Sequence, residues 1–321
     1  MVPDSGGAAA VALPGDRLVV SRWTRLLENQ RVLATALLAP GVLILAVFIA
    51  YPFVMAIWFA LTDISVGTAG KFVGIENFKK AWLDSIFQTA FWNTCFYTFW
   101  ATVFKLALGM WLALLLNRHF RFKRMIRAWM LLPFIIPTVL STFAWRWMFD
   151  PTFSVINWTL YHAGWITDRI PFLSDGDWAM WCAIVVNTWR GTPFFAITLL
   201  AGLQTISPSL YEAALLDGST GWQRFRYITF PLLLPILAIV MTFSIIFTFT
   251  DFQLVYAITR GGPVNSTHLL ATLAFQRGIP GGNLGEGAAI AVSMIPFLVF
   301  ATLFSYFALA RRKWQQGEAN D

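Results

Sequence analysis

The chain has 321 residues, 58% of them hydrophobic and only 12% charged, with a mean hydropathy of +0.64. A water-soluble domain of this length needs more polar surface than that, and runs of ~18 or more apolar residues indicate membrane-spanning helices instead. The formal charge of +7 is explained by how the basic residues are distributed along such helices, so no nucleic-acid partner is expected.

Cys95 and Cys182 both fall in apolar runs, which suggests neither a disulfide framework nor a metal cage. His119, His162 and His268 are far apart and match no ligand spacing. In chain order, residues 1–32 read as a cytoplasmic leader, rich in Gly, Ala and Val before its arginines and expected to be poorly ordered. Residues 33–88 hold a first span, 33–61, and an external loop. That span is too long for the apolar core of a cleaved signal, and Pro40 and Pro52 are expected to kink it. Residues 89–310 form a core with five further spans, about 89–116, 126–148, 179–203, 233–257 and 287–310, and 311–321 a short tail. The fold class expected is all-α: a polytopic membrane protein with six transmembrane helices.

Orientation follows from the basic residues. Fourteen of the 23 Lys and Arg lie on one side, among them Arg17, Arg22, Arg25, Arg121, Lys123, Arg224 and Arg311. Six lie on the other, including Lys71, Lys79, Arg169 and Arg277, and Lys105, Arg146 and Arg190 lie within spans. Positive charge is retained in the cytoplasm, so both termini and the loop between the fourth and fifth spans are expected there.

That loop contains "YEAALLDGSTGWQRFRYITFP", residues 211–231. Ser207 and Pro208 suit the start of a short helix, with Ser209 and Glu212 as a competing capping box. Asp217-Gly218 ends it, Gly218 being suited to a left-handed terminating position. Thr220 and Gln223 form a second capping-box pattern, opening a second short helix that carries Trp222 and Phe225 on one face. Ala213 and Ala214 keep the surface low beside the charge of Glu212, a shape that fits a partner's groove. The plainer reading is an interfacial helix pair lying under the bilayer.

Glu212-Ala213-Ala214, with Gly218, Ile228 and Pro231 at their intervals, resembles the EAA loop of ABC-importer permeases; Phe230 stands where that pattern usually has leucine. "TWRGTPFFAITLLAGLQTISPSLYEAALLDG" and "DFQLVYAITRGGPVNST" resemble the fourth and fifth spans of the sugar branch, the maltose and glycerol-phosphate type. "YPFVMAIWFALTD", "FVGIENFKKAW" and "MFDPTFSVINW" resemble its first span and external segments, with Ser154 replacing a frequent glycine. The resemblance implies a permease subunit of the cytoplasmic (inner) membrane, paired with a homologous second permease, two cytoplasmic ABC ATPase subunits and an external sugar-binding protein. It also implies that Glu212, Ala213, Ala214, Asp217 and Gly218 form the coupling contact with the ATPase. The sugar itself is not legible.

Enzymatic motifs do not appear. There is no G-x-x-x-x-G-K-[ST], H-E-x-x-H or G-x-S-x-G, and "GGNLGEG" at 281–287 follows no predicted strand. No catalytic residue, cofactor or metal is therefore expected, and ATP hydrolysis is assigned to another chain.

Ionisable groups inside spans are costly and so are candidates for function. Arg190 sits ~16 Å into the fourth span, where Gly191 and Pro193 are expected to interrupt the helix, and Asp251 lies ~9 Å into the fifth. One reading is a structural Arg190–Asp251 pair locking the two spans. The other is that Asn187, Trp189, Arg190, Asp251, Phe252 and Tyr256 face the substrate pathway, the aromatic rings supplying faces for a sugar. Lys105 reads more readily as a packing or intersubunit residue, and Arg146, between Trp145 and Trp147, as an interface anchor. The alternative function is an ion-coupled secondary transporter of a small polar solute, which would need its own titratable relay. A channel or a membrane enzyme is disfavoured, there being no selectivity-filter sequence and no clustered acid–base or nucleophile set.

Overall fold

A computed structural model describes residues 30–118 and 121–315; side chains are described as far as residue 304, and again at Phe307. Most of the leader, with Arg17, Arg22 and Arg25, lies outside the described residues, as do His119 and the end of the tail. The chain divides into two compact units, Met1–Met55 and Ala56–Asp321.

Helix α1, Gln30–Ala60, is long and apolar enough to cross a membrane. It continues through Pro40, and a π turn at Ala46–Ala50 immediately precedes Pro52, with Tyr51 N–H bonded to the Ala46 carbonyl. The wider turn accommodates the proline without breaking the helix. In the larger unit a loop over 61–75 is closed by Asn77, whose side-chain amide donates to the carbonyls of Ala60 and Thr62 at 3.0 and 2.7 Å. Helix α2, Glu76–Leu83, leads into α3, Ser85–Asn117, capped by the Asp84 carboxylate at Ile86 N–H.

The third predicted span is two helices, α4 Lys123–Ile135 and α5 Thr138–Met148, meeting at 90°. Pro137 causes the corner: it has no N–H and drives Ile136 into extended geometry (φ −62°, ψ 131°). The arms, ~20 Å and ~16 Å long, are each shorter than a ~30 Å hydrocarbon core. A short external helix, α6 Val155–His162, starts at Ser154, whose hydroxyl accepts from Asn157 N–H.

The fourth predicted span is α7, Gly176–Leu203, and it is not interrupted. Pro193 removes one ladder bond, to the Trp189 carbonyl, and the Thr192 hydroxyl donates to the Thr188 carbonyl beside it at 2.6 Å. Buried Phe195 and Ala196 press against Gly109 of α3, where a side chain on the glycine would collide with Phe195, and this packing holds both halves of α7 together. After a 71° bend comes α8, Pro208–Leu216. The second short helix expected in the loop is the start of α9, which runs continuously from Gly221 to Phe249 through a π turn at Phe225–Thr229.

The break expected in the fourth span occurs in the fifth. Helix α9 stops at Phe249, residues 250–252 are non-helical, and α10 resumes at Gln253–Ile258. Helix α11, Leu270–Gly278, and α12, Leu284–Ser293, then pack through Gly278 and Gly287 before α13, Ile295–Gln315. Four helical segments among the described residues are long and apolar enough to span a bilayer, and six if each of the bent pairs α4–α5 and α7–α8 is one span. Among the described residues extended pairing is limited to one bridge, Thr62 with Phe72.

The core lies chiefly between α3 and α7. Ala113 and Leu116 meet Leu199, Leu200 and Leu203 towards one end, while Tyr97 and Ala101 meet Ala183, Ile184, Leu254 and Val255 towards the other.

Candidate coupling elbow and translocation cavity

Helix α8 ends in a complete glycine cap. Gly218 has φ +76°, Ser219 N–H bonds the Ala214 carbonyl at 3.0 Å, and Gly218 N–H bonds the Leu215 carbonyl at 3.0 Å. These are the two bonds of a Schellman motif, with the glycine at the left-handed position. The Ser219 hydroxyl adds a second bond to Ala214, and Arg224 Nη1 donates to the Ser219 carbonyl at 2.8 Å. The capping box forms: Thr220 N–H donates to Gln223 Oε1 at 2.7 Å and Gln223 N–H to Thr220 Oγ1 at 3.3 Å. Ser207 and Ser209 bond each other instead of capping α8. Trp222 and Phe225 stack at 5.6 Å.

This elbow is rigid yet presents an apolar tip. Glu212, Ala213, Asp217 and Gly218 are exposed, Ala214 is half-buried, and Leu216 is 90% exposed. One strut was not legible beforehand: Tyr211 Oη lies 2.9 Å from Thr229 Oγ1 and ties α8 to the foot of α9.

Deeper in the molecule a cavity of about 610 Å³ opens between α3, α7 and the α9–α10 break. Asn187, Arg190, Asp251 and Phe252 line it. The break turns Asp251 into a hub. Its Oδ2 accepts from Tyr97 Oη at 2.8 Å and Asn187 Nδ2 at 2.9 Å, and its Oδ1 from Leu254 N–H at 3.3 Å. The aspartate therefore joins α3, α7 and α10. Neither Lys105 nor Arg190 makes a direct ion pair among the described residues, and the hydrogen bonds that hold the Asp251 carboxylate come from neutral donors, while Arg190 lines the same cavity. Arg190 Nε and Asn187 Oδ1 are buried without hydrogen-bond partners there.

Two of the expected pathway residues lie elsewhere. Trp189 packs edge-on against Trp145 at 5.5 Å and lines a separate apolar groove with Val185, Thr188 and Thr192. Tyr256 stacks on Phe252 at 4.9 Å and meets Phe275 at 5.2 Å, without lining the cavity. Helical spacing explains the first: 187, 190, 191 and 194 share one face of α7, while 185, 188, 189 and 192 share another.

Lys105, expected to pack, is 4% exposed, lines the cavity and donates from Nζ to Thr248 Oγ1 at 2.7 Å. Gly191 makes room for it, since a side chain there would collide with the lysine stem. Tyr97, Ala101, Lys105 and Gly109 recur every fourth residue on α3, and that spacing was the available signal for both Tyr97 and Lys105. Arg146 is within 3.5 Å of the Ala257 carbonyl and so connects α5 to α10.

Outside the spans, His268 is buried with Nδ1 3.1 Å from Thr272 Oγ1. Burial holds its imidazole below the ordinary value, and the Arg277 cation lowers it further, while a side-chain hydrogen bond in which Gln276 accepts from the ring works in the opposite direction. Arg277 itself bridges Asp84 at 2.6 Å and Glu286 at 3.5 Å.

A helical membrane bundle with an exposed, glycine-capped elbow between its fourth and fifth spans defines a transport subunit. The chain belongs to the family described as binding-protein-dependent transport system inner membrane component, whose sequence profile matches residues 105–315. It is 34% identical over 301 residues to the sulfoquinovosyl glycerol transport system permease protein SmoG of Agrobacterium fabrum, covering 93% of this chain and 97% of that one. It is 30% identical over 291 residues to the trehalose/maltose transport system permease protein MalF of Thermococcus litoralis, covering 90% and 97%. Its fold matches a chain of a bacterial ABC transporter involved in import of the acidic polysaccharide alginate, with a TM-score of 0.78 at 22% identity over 91% of this chain and 99% of that one.

Proposed function

We propose that this chain is one permease half of an ATP-driven, binding-protein-dependent importer for a sugar or related polyol or oligosaccharide. It works beside a homologous second permease, two cytoplasmic ABC ATPase subunits and an external sugar-binding protein. Both termini and the elbow face the cytoplasm, in keeping with the excess of Lys and Arg on that side. ATP hydrolysis takes place in the partner subunits, and this chain has no catalytic role.

The observation that carries the reading is the elbow. Glu212, Ala213, Ala214, Asp217 and Gly218 form the coupling contact, with Leu216 as its apolar tip. A helix that transmits displacement must not bend at its ends, and the Schellman cap and the Tyr211–Thr229 strut stiffen both. Movement of α8 then reaches α9 directly, and the α9–α10 break around Asp251 gives the cavity a joint at which to open or close. The relatives' names, sulfoquinovosyl glycerol and trehalose/maltose, support the sugar class. An ion-coupled carrier would need no docking elbow.

Uptake by cells carrying the whole system tests this. Transport is expected to require the ATPase subunits and to collapse with Gly218→Val or Glu212→Lys while the chain still reaches the membrane. Uptake driven by a proton or sodium gradient without the ATPase would overturn the reading.

A further inference from the structure

We propose that the cavity selects an acidic saccharide, a hydroxylated solute that carries a carboxylate or sulfonate group. This rests on the permease reading and narrows its substrate class.

The cavity is lined by two basic side chains, Lys105 and Arg190, and one acidic, Asp251. Asp251 offsets one of the two positive charges, and both its oxygens already accept from neutral donors, the Tyr97 hydroxyl, the Asn187 amide and Leu254 N–H. Lys105 spends one of its N–H donors on the neutral Thr248 hydroxyl, and Arg190 Nε meets no acceptor among the described residues. Two cations face a single carboxylate, which leaves one positive charge in excess, and an uncompensated charge beside a partly buried cavity is costly. A ligand that brings its own anion removes that cost through charge-assisted hydrogen bonds. A neutral sugar would leave it standing.

The remaining unmet group specifies the rest of the ligand. Asn187 is 8% exposed, its Nδ2 is turned to Asp251, and its Oδ1 is therefore an acceptor awaiting a donor. A sugar hydroxyl is such a donor. Phe194, Phe247 and Phe252 supply apolar walls for a ring's C–H face. The volume of about 610 Å³ lies within the ~300–1,000 Å³ of small-molecule sites. One acceptor, two cations and aromatic walls together describe a ring that carries hydroxyls and an anion.

The test uses the intact transporter in nanodiscs without its binding protein, titrated calorimetrically with methyl glucuronide, methyl glucoside and inorganic sulfate. The glucuronide is expected to bind about tenfold tighter than either of the others, reflecting a charge-assisted contact combined with a hydroxyl contact. Arg190→Gln should bring glucuronide and glucoside to the same affinity, and Lys105→Gln serves if the arginine variant does not assemble. Should neither variant assemble, the wild-type ranking decides alone. The proposal falls if the glucoside binds as well as the glucuronide, if none of the probes binds, or if sulfate alone binds as tightly. It also falls if the preference survives in an assembled variant. In each case ATPase-dependent uptake would remain, leaving the permease reading in place. Uptake without the ATPase would instead remove that reading.

Discussion

The hydroxyls of Tyr211 and Thr229 lie 2.9 Å apart and join the exposed helix α8 to the π turn at the foot of α9. Without that strut the elbow is attached to the bundle mainly through its own chain ends and the Arg224–Ser219 bond. A single hydrogen bond contributes ~1 kcal/mol, enough to change the efficiency of coupling but not the fold. Tyr211→Phe is expected to lower the solute moved per ATP hydrolysed by the intact complex severalfold, with little change in its thermal midpoint. An unchanged ratio of transport to hydrolysis would remove the strut from the mechanism.

Gly218 sits at φ +76° as the left-handed residue of the α8 cap, with open space where a side chain would project. Substitution therefore costs backbone strain and no steric clash. A β-branched residue there costs ~1–2 kcal/mol, while asparagine tolerates the same geometry better. Uptake assays should accordingly rank wild type above Gly218→Asn and Gly218→Asn above Gly218→Val. Equal activity of the two variants would show that some other property of the glycine matters.

Gly191 faces the methylene stem of Lys105. Gly191→Val should drive the lysine from Thr248 and lower the melting temperature of the detergent-purified chain. Lys105→Ala in the same molecule should restore part of that loss, because the two positions are in contact and their effects are not additive. Strict additivity in the double variant would argue against the contact.

Trp189 provides a contrast. It packs against Trp145 on the face of α7 turned away from the cavity. Trp189→Ala is expected to cost ~3 kcal/mol of stability, scaled down for its partial exposure, while leaving the affinity ranking of transported solutes unchanged. A changed ranking would place the ring in the pathway.

His268 supplies a pH dependence outside the spans. Its folded pKa is depressed by burial, so the unfolded chain binds the proton more readily. Stability is then full above the ordinary imidazole value of ~6.5 and declines as pH falls below it towards the depressed folded value. Thermal midpoints of purified protein should drop between neutral and mildly acid pH, and His268→Gln should flatten that slope. A slope that is the same in the variant would assign it to other groups.

Much of the elbow was legible because its signals are local. The Thr220–Gln223 box, the glycine at 218 and the Trp222–Phe225 pair each depend on residues within one or two turns. The cavity was legible only in part. Arg190 and Asp251 drew attention as charges in apolar runs, but the aspartate's partners, Tyr97 and Asn187, lie 154 and 64 residues away. Proline positions did not reveal where a helix would break. Pro193 is absorbed by packing within α7, whereas Pro137 turns its chain by 90°. The difference is that Ile136 before Pro137 takes extended geometry, whereas the residue before Pro193 stays helical. Burial alone does not decide it, since Pro40 and Pro133 remain within helical segments, Gln30–Leu45 and Lys123–Ile135, that have no buried residues.

Composition and the spacing of apolar runs by themselves determined an all-helical membrane protein with an ordered polar loop, since bilayer thickness and backbone hydrogen bonding leave a chain this apolar few other options. The distribution of Lys and Arg added a direction for it. Only the tertiary structure decided that α9 breaks at Thr250–Phe252, that Asp251 is satisfied by neutral donors, and that Lys105 shares the cavity with Arg190. Those facts depend on which helix faces meet, and packing between segments far apart in sequence sets that, as no local pattern does.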